Sequence, residues 1–153
     1  MSFIKYKSPF GIITVQEKDG AISRVYLPNS EPCQDCVPAA ADGLLLAAQK
    51  QFDEYFNGER KTFDLPLNFD GCTDFMKSVY LELLKIPYGE TVSYKYIAEQ
   101  INCPKAFRAV GLANNKNPLP IIVPCHRVIG SDGSLIGYAG GLDLKINLLN
   151  LEK

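Results

Sequence analysis

Ser93-Tyr94-Lys95-Tyr96-Ile97-Ala98-Glu99-Gln100-Ile101-Asn102-Cys103-Pro104-Lys105-Ala106-Phe107-Arg108-Ala109-Val110-Gly111-Leu112-Ala113 holds two apolar stripes at helical spacing with a breaker between them. Tyr94, Ile97, Ala98 and Ile101 recur at i, i+3, i+4 and i+7 behind Ser93, which suits an N-cap; Ala106, Ala109, Val110 and Ala113 repeat that spacing. Asn102-Cys103-Pro104 stops the chain between the two. Two short amphipathic helices joined by a tight turn make a helix-turn-helix pattern. Most such pairs never touch DNA, so the outward face of the second helix decides. It presents Lys105, Arg108, Gly111, Leu112 and Asn115, cations among small or neutral neighbours without a carboxylate, which suits phosphate.

Before this pair, Thr73 is placed to cap a helix carrying Phe75, Met76, Val79 and Leu83 on one face, ending at Ile86-Pro87-Tyr88-Gly89. After it, residues 142–152 predict a last helix with Leu144, Leu148 and Leu151 inward. Residues 1–71 read differently. Phe3–Tyr6, Gly11–Val15 and Ala21–Leu27 alternate like half-buried strands, separated by Ser8-Pro9 and Asp19-Gly20, which predicts a small antiparallel meander. Residues 28–42, with Pro28, Asn29, Ser30, Pro32 and Pro38, read as a loop. Leu45, Ala48, Phe52 and Tyr55 predict a helix from Gly43 to about Asn57 packed on the sheet, and Phe63-Asp64-Leu65-Pro66-Leu67 reads as extended. The expected architecture is therefore an α/β N-terminal domain over 1–71, joined to a mainly α, winged-helix-like domain over 72–153 that carries the helix-turn-helix.

A chain of 153 residues is long enough to bury a core without staples, and 46% hydrophobic with 22% charged residues is a globular balance. No stretch reaches bilayer length, and Met1-Ser2-Phe3-Ile4-Lys5 lacks the apolar run of a signal peptide, so the expected location is cytoplasmic, or nuclear in a eukaryote. Five cysteines without a secretion signal argue for reduced thiols. The net charge of −1 advertises no polyanion partner, but residues 1–71 carry 7 Lys+Arg against 10 Asp+Glu and residues 72–153 carry 9 against 7. If either half faces phosphates it is the second, although this count alone fits ordinary charge scatter as well.

The chemistry-bearing stretch runs Asn117-Pro118-Leu119-Pro120-Ile121-Ile122-Val123-Pro124-Cys125-His126-Arg127-Val128-Ile129. A buried run leads into a thiol, the sole histidine and an arginine. A thiol is nucleophilic as the thiolate, and an imidazole with nearby positive charge favours that form. Taken as a dipeptide, Cys-His points equally to a buried structural cysteine, since neighbours in extended chain face opposite ways.

Pro124-Cys125-His126-Arg127-Val128 is similar to the active-site signature of the O6-alkylguanine-DNA alkyltransferase family, and further blocks fall in that family's order. These are Ile86-Pro87-Tyr88-Gly89-Glu90 through Ser93-Tyr94, Arg108-Ala109-Val110-Gly111, Asn117-Pro118, Gly137-Tyr138-Ala139-Gly140-Gly141 and Leu148-Leu149-Asn150-Leu151-Glu152. The resemblance covers about residues 72–153; residues 1–71 share only length and element order with the family's N-terminal domain.

This resemblance implies that Cys125 accepts an alkyl group from O6-alkylguanine in double-stranded DNA, O4-alkylthymine being a further possible substrate. His126 takes the thiol proton through a water, and Glu152 orients His126. Asn117 is the family's hinge asparagine, tying the active-site strand to the helix-turn-helix. Tyr94 crowds a backbone phosphate and donates to the leaving base; Arg108 fills the gap left by the extruded nucleotide. Lys105, Ala109, Gly111 and Asn115 belong to the same DNA-facing helix, which enters the minor groove. Tyr138, Ala139, Gly140, Pro120 and Val128 line the base pocket, and Gly140 opposite Pro120 leaves width for a benzyl as well as a methyl adduct, unless Gly140 serves only a backbone angle. The thioether product is irreversible, so one monomer repairs one lesion with no metal or organic cofactor and no membrane partner.

Two rival classes use the same residues: a lesion-binding protein without transfer, against which Cys125 itself argues, and a cysteine hydrolase built on thiol, imidazole and carboxylate. Turnover separates them: none, many, or one product per molecule. Cys33-Gln34-Asp35-Cys36 has half of a zinc or redox site, but with the sole histidine beside Cys125, only Cys72 and Cys103 remain as distant further ligands. Two free loop thiols are the expected reading.

Overall fold

The structure is a computed structural model that describes residues 1–28, 30–32, 34–135 and 137–153. It divides into two compact units, Met1–Asp70 and Gly71–Lys153.

In the first unit, β1 (Ser2–Ser8), β2 (Gly11–Lys18) and β3 (Ala21–Tyr26) form an antiparallel meander. Asp19 and Gly20 both take positive φ, 54° and 79°, the left-handed pair that a two-residue hairpin turn needs and that Asp-Gly supplies at little cost. Helix α1 (Gly43–Phe56) packs on β1 and β2 with Leu45, Ala48, Phe52 and Tyr55 buried, and Ile4, Ile13 and Val15 of those strands, with Ile22 and Val25 of β3, are buried as well. The extended stretch after α1 is fixed at both ends. Gln51 bonds the backbone of Asp64 in both directions, at 2.9 and 2.8 Å. Ile22 N–H donates to Pro66 O, and Asn68 N–H donates to Ile22 O.

One expectation needs correction here. Residues 28–42 are not loop throughout, because β4 (Val37–Pro38) pairs parallel to β1 and makes the sheet mixed, in the order β3-β2-β1-β4. Its proline occupies an edge, where a missing N–H costs no ladder bond. Cys36, just before it, directs its thiol to Gln16 Oε1 at 2.8 Å. Cys33, the other cysteine of that motif, lies outside the described residues. Among the described residues no cluster of three or more His, Cys, Asp or Glu side chains is arranged to hold a metal ion.

The second unit is helical: α2 (Asp74–Leu83), α3 (Tyr94–Gln100), α4 (Phe107–Asn115) and α5 (Leu142–Leu151). Thr73 Oγ1 accepts from Met76 N and Ser93 Oγ from Tyr96 N, so both expected caps form. Helices α3 and α4 pack on each other and on α2, and the Tyr80 hydroxyl donates to Ala113 O at 2.8 Å to fix α4 on α2. Asn102 turns the chain between α3 and α4 at φ 62°. A two-stranded parallel ribbon, β5 (Val92–Ser93) with β6 (Val128–Ile129), completes the unit. No helix among the described residues is long and apolar enough to cross a membrane.

Two inward faces differ from expectation. In α4 Ala109 is exposed, and Val110, Ala113 and Asn114 form the buried side. In α5 the buried residues are Leu144, Lys145 and Leu148, with Leu151 only half-buried.

Candidate active site and nucleic-acid interface

Three prolines shape the segment from α4 to Cys125. Pro118, Pro120 and Pro124 lack the N–H a ladder requires, and residues 118–124 form turns and an isolated bridge between Pro120 and Val123 rather than the strand expected from the resemblance. Ile121 takes φ 74°, a left-handed conformation that a β-branched residue adopts only under constraint. Asn117 supplies that constraint. Its amide nitrogen donates to Val123 O at 2.9 Å and its amide oxygen accepts from Leu119 N at 2.9 Å, so a single side chain clamps both arms of the loop.

Cys125, His126 and Arg127 then form one turn of 3-10 helix. That turn resolves the difficulty of two adjacent side chains. In extended chain they would face apart, whereas here Cys125, His126 and Arg127 are 3%, 0% and 6% exposed. The Nε2 of His126 lies 2.7 Å from Glu152 Oε2. A carboxylate can only accept, so the proton sits on Nε2 and Nδ1 keeps its lone pair; among the described residues Nδ1 has no hydrogen-bond partner. Glu152, which caps α5 from just beyond its last turn, also takes a two-pronged contact from Arg127, Nε at 2.8 Å and Nη2 at 3.0 Å. The remaining prong, Arg127 Nη1, donates to Ile86 O at 2.8 Å.

Burial pushes the Cys125 thiol up, while the side chains of Asn117 and Tyr138 and the ammonium of Lys145 favour the thiolate. Burial likewise pushes His126 down, against the pull of Glu152, so the imidazole is neutral and able to accept a proton. Lys145 is fully buried, donates from Nζ to Val128 O at 2.7 Å and lies 5.8 Å from the centre of the Tyr94 ring. Tyr94 opens α3 directly after β5, and β5 pairs with β6, which follows the Cys125–Arg127 turn, so ribbon and helix start fix the phenol relative to the thiol. Its own hydroxyl is held protonated by burial and by the Cys125 charge, with the Asn114 side chain acting the other way.

Sequence reasoning singled out neither Lys145 nor Asn114. Lys145 carries one signal in the sequence, its place beside Leu144 in the last helix. Asn114, whose amide donates to Cys125 O at 3.3 Å, ties α4 to the thiol's own backbone.

Of the residues expected in the base pocket, Pro120 and Val128 are buried, Tyr138 and Gly140 half-buried, and Ala139 exposed on the loop before α5; of these, the Tyr138 side chain reaches the Cys125 thiol. On α4, Arg108, Ala109 and Asn115 are exposed, as is Lys105 just before the helix. Gly111 is half-buried, and a Cβ there would lie 4.0 Å from the Tyr94 ring. Gly137, at φ 55°, comes within 3.7 Å of the Asn115 side chain when given a Cβ.

Comparison with known proteins covers both units. The family model "6-O-methylguanine DNA methyltransferase, ribonuclease-like domain" matches residues 1–69, and "6-O-methylguanine DNA methyltransferase, DNA binding domain" matches residues 74–153. A methylated-DNA–protein-cysteine methyltransferase of Methanosarcina barkeri is 60% identical over 106 residues, 69% of this chain and 66% of that relative, so the match spans about two thirds of its length. The constitutive methylated-DNA–protein-cysteine methyltransferase of Bacillus subtilis is 45% identical over 154 residues, 96% of this chain and 92% of the relative. The crystal structure of Mycobacterium tuberculosis OGT in complex with DNA superposes with a TM-score of 0.94 at 43% identity, covering 100% of this chain and 93% of that one. With both halves matched in order, the chain belongs to the 6-O-methylguanine DNA methyltransferase family.

Proposed function

We propose that this protein repairs O6-alkylguanine in double-stranded DNA by transferring the alkyl group irreversibly to Cys125, the reaction of a methylated-DNA–protein-cysteine S-methyltransferase. One observation carries the reading: a buried thiol is followed directly by a buried imidazole whose Nε2 is committed to Glu152 and whose Nδ1 is left to act as base. The thiol proton passes through a water to His126 Nδ1, the sulfur displaces guanine at the alkyl carbon, and the C–O6 bond electrons leave with the base. Tyr94, its hydroxyl protonated, is the donor to that leaving base. Glu152 stabilises the imidazolium that forms, Arg127 holds Glu152, and Lys145 offsets the charge of the thiolate. The thioether has no leaving group that water can displace, so one molecule serves one lesion.

The target carbon cannot meet an in-line thiolate inside a duplex, so the nucleotide must be turned out of the stack. Arg108, exposed on α4, is the residue we assign to the gap, with Lys105, Asn115 and Tyr94 on the backbone and Ala109 and Gly111 allowing close approach. Tyr138, Ala139, Gly140, Pro120 and Val128 are assigned to the pocket wall. We infer a monomer working in the cytoplasm, with residues 1–71 and 72–153 as its two domains.

Intact-mass analysis after incubation with an O6-methylguanine duplex tests the reading. One added methyl on the peptide containing Cys125 is expected, and an unmodified protein that releases many product molecules would make it a hydrolase instead. Arg108→Ala is expected to slow repair of duplex DNA by about tenfold or more while reaction with a free alkylguanine base changes little, because only the duplex needs base extrusion. Equal losses on both substrates, read from single-turnover rates, remove Arg108 from that role.

A further inference from the structure

Two large apolar side chains stand in the open on the face that this reading turns toward DNA. Leu112 is 61% exposed and Phe107 44% exposed, both on α4. At about 100° per residue, Leu112 lies one turn beyond Arg108 and roughly 40° around the helix from it, and Phe107 lies about 100° to the other side. The guanidinium carbon of Arg108 is 6.0 Å from the centre of the Phe107 ring, close enough for the cation to rest against the aromatic face. The buried side of the helix, Val110, Ala113 and Asn114, is already complete without either residue. Residues 101–118 hold three cations, Lys105, Arg108 and Lys116, and no Asp or Glu, so the apolar pair sits within a cationic strip.

Charge complementarity makes a phosphate-bearing partner the fitting occupant. The walls of a DNA minor groove below the phosphates are deoxyribose edges, which are largely apolar. That groove is only about 6 Å wide, whereas a helix with its side chains measures about 10 Å across, so entry requires opening. Proteins that open the minor groove do so with apolar wedges.

We propose that Phe107 and Leu112 are the apolar contacts on either side of Arg108, pressing on the deoxyribose walls, holding the groove open and supplying a share of duplex affinity that salt does not weaken. This inference rests on the DNA-repair reading above. Phosphate contacts release counterions and lose strength as salt rises, whereas burial of apolar surface does not, so the two contributions separate in a salt series.

The test uses the full chain and an unmodified duplex, with the association constant measured by fluorescence anisotropy across a range of salt concentrations. Phe107→Ala and Leu112→Ala are each expected to bind about five- to tenfold more weakly by the same factor at every salt concentration. The slope of log K against log salt should stay at the parent value. Lys105→Gln should lower that slope by about one instead. Phe107→Leu, which keeps an apolar side chain, should retain most of the affinity that Phe107→Gln loses, and thermal melts confirm that each variant is folded. Parent-like binding by Phe107→Ala and Leu112→Ala, or losses that vanish at high salt, overturns the wedge assignment while the repair reading stands. A protein partner as the true occupant gives the first of these results. Failure of the parent chain to bind any duplex removes the repair reading, and this inference with it.

Discussion

Cys125→Ser is expected to bind duplex DNA as the parent chain does and to transfer no alkyl group to itself, with the rate falling by on the order of 10⁴-fold or more. Serine is close in size, so the packing around a residue that is 3% exposed is kept. The hydroxyl is far harder to ionise than the thiol. The groups that favour a thiolate here, Asn117, Tyr138 and Lys145, oppose a burial penalty that bears still more heavily on an alkoxide. Labelled-methyl transfer checks the rate, and anisotropy checks the binding. A stoichiometric methyl on any other residue of the variant would sink the assignment of Cys125.

Glu152→Gln is the second large effect, and it has two parts. The carboxylate is shared between His126 and Arg127, all three being buried. An amide carries no charge to balance the Arg127 guanidinium, and breaking one partner of a buried ion pair costs about 3 kcal/mol or more. Tm should fall by on the order of 10 °C. Transfer should slow by roughly 10²-fold at temperatures where the variant is folded, because the imidazolium formed in the reaction loses its counter-charge. Duplex binding should persist, because Glu152 sits at the end of α5, bonded to His126 and Arg127, and the exposed face of α4 lies on another helix. A folded variant with the parent's rate would take Glu152 out of the proton path and leave it as the partner of Arg127 alone.

Periodicity and turn chemistry made much of this fold legible beforehand. The meander followed from alternation and Asp19-Gly20, and the helices from their stripes with Thr73 and Ser93 as caps. Pattern failed where it was too short or where a residue contradicted its type. Val37-Pro38 is a two-residue strand containing a residue that avoids strands, so nothing in its local sequence marks it. Lys145 carries a charge, which sequence logic sends to water, yet Val128 O and the Tyr94 ring hold it inside. Ala109 continues an apolar stripe on paper but faces outward, since alanine fits either environment. At the site, Cys125 and His126 were visible as residue types but not as neighbours in space. Their common burial comes from a 3-10 turn set by Pro124 and the clamped loop before it, which no period of two or 3.6 reveals.

The Asn117 clamp has a consequence for chemical ageing. Asparagine side chains decay to aspartate chiefly through a cyclic imide, formed when the backbone nitrogen of the next residue attacks the side-chain carbonyl. That attack needs an N–H, and the next residue here is Pro118, which has none. The amide whose two ends hold Leu119 and Val123 is thereby shielded from that decay. Asn57, exposed at the end of α1 and followed by Gly58, has no such protection. On the proposed repair reading, in which each molecule reacts once after an indefinite wait for a lesion, the loop that shapes the nucleophile is spared a covalent wear to which the exposed Asn57 is open.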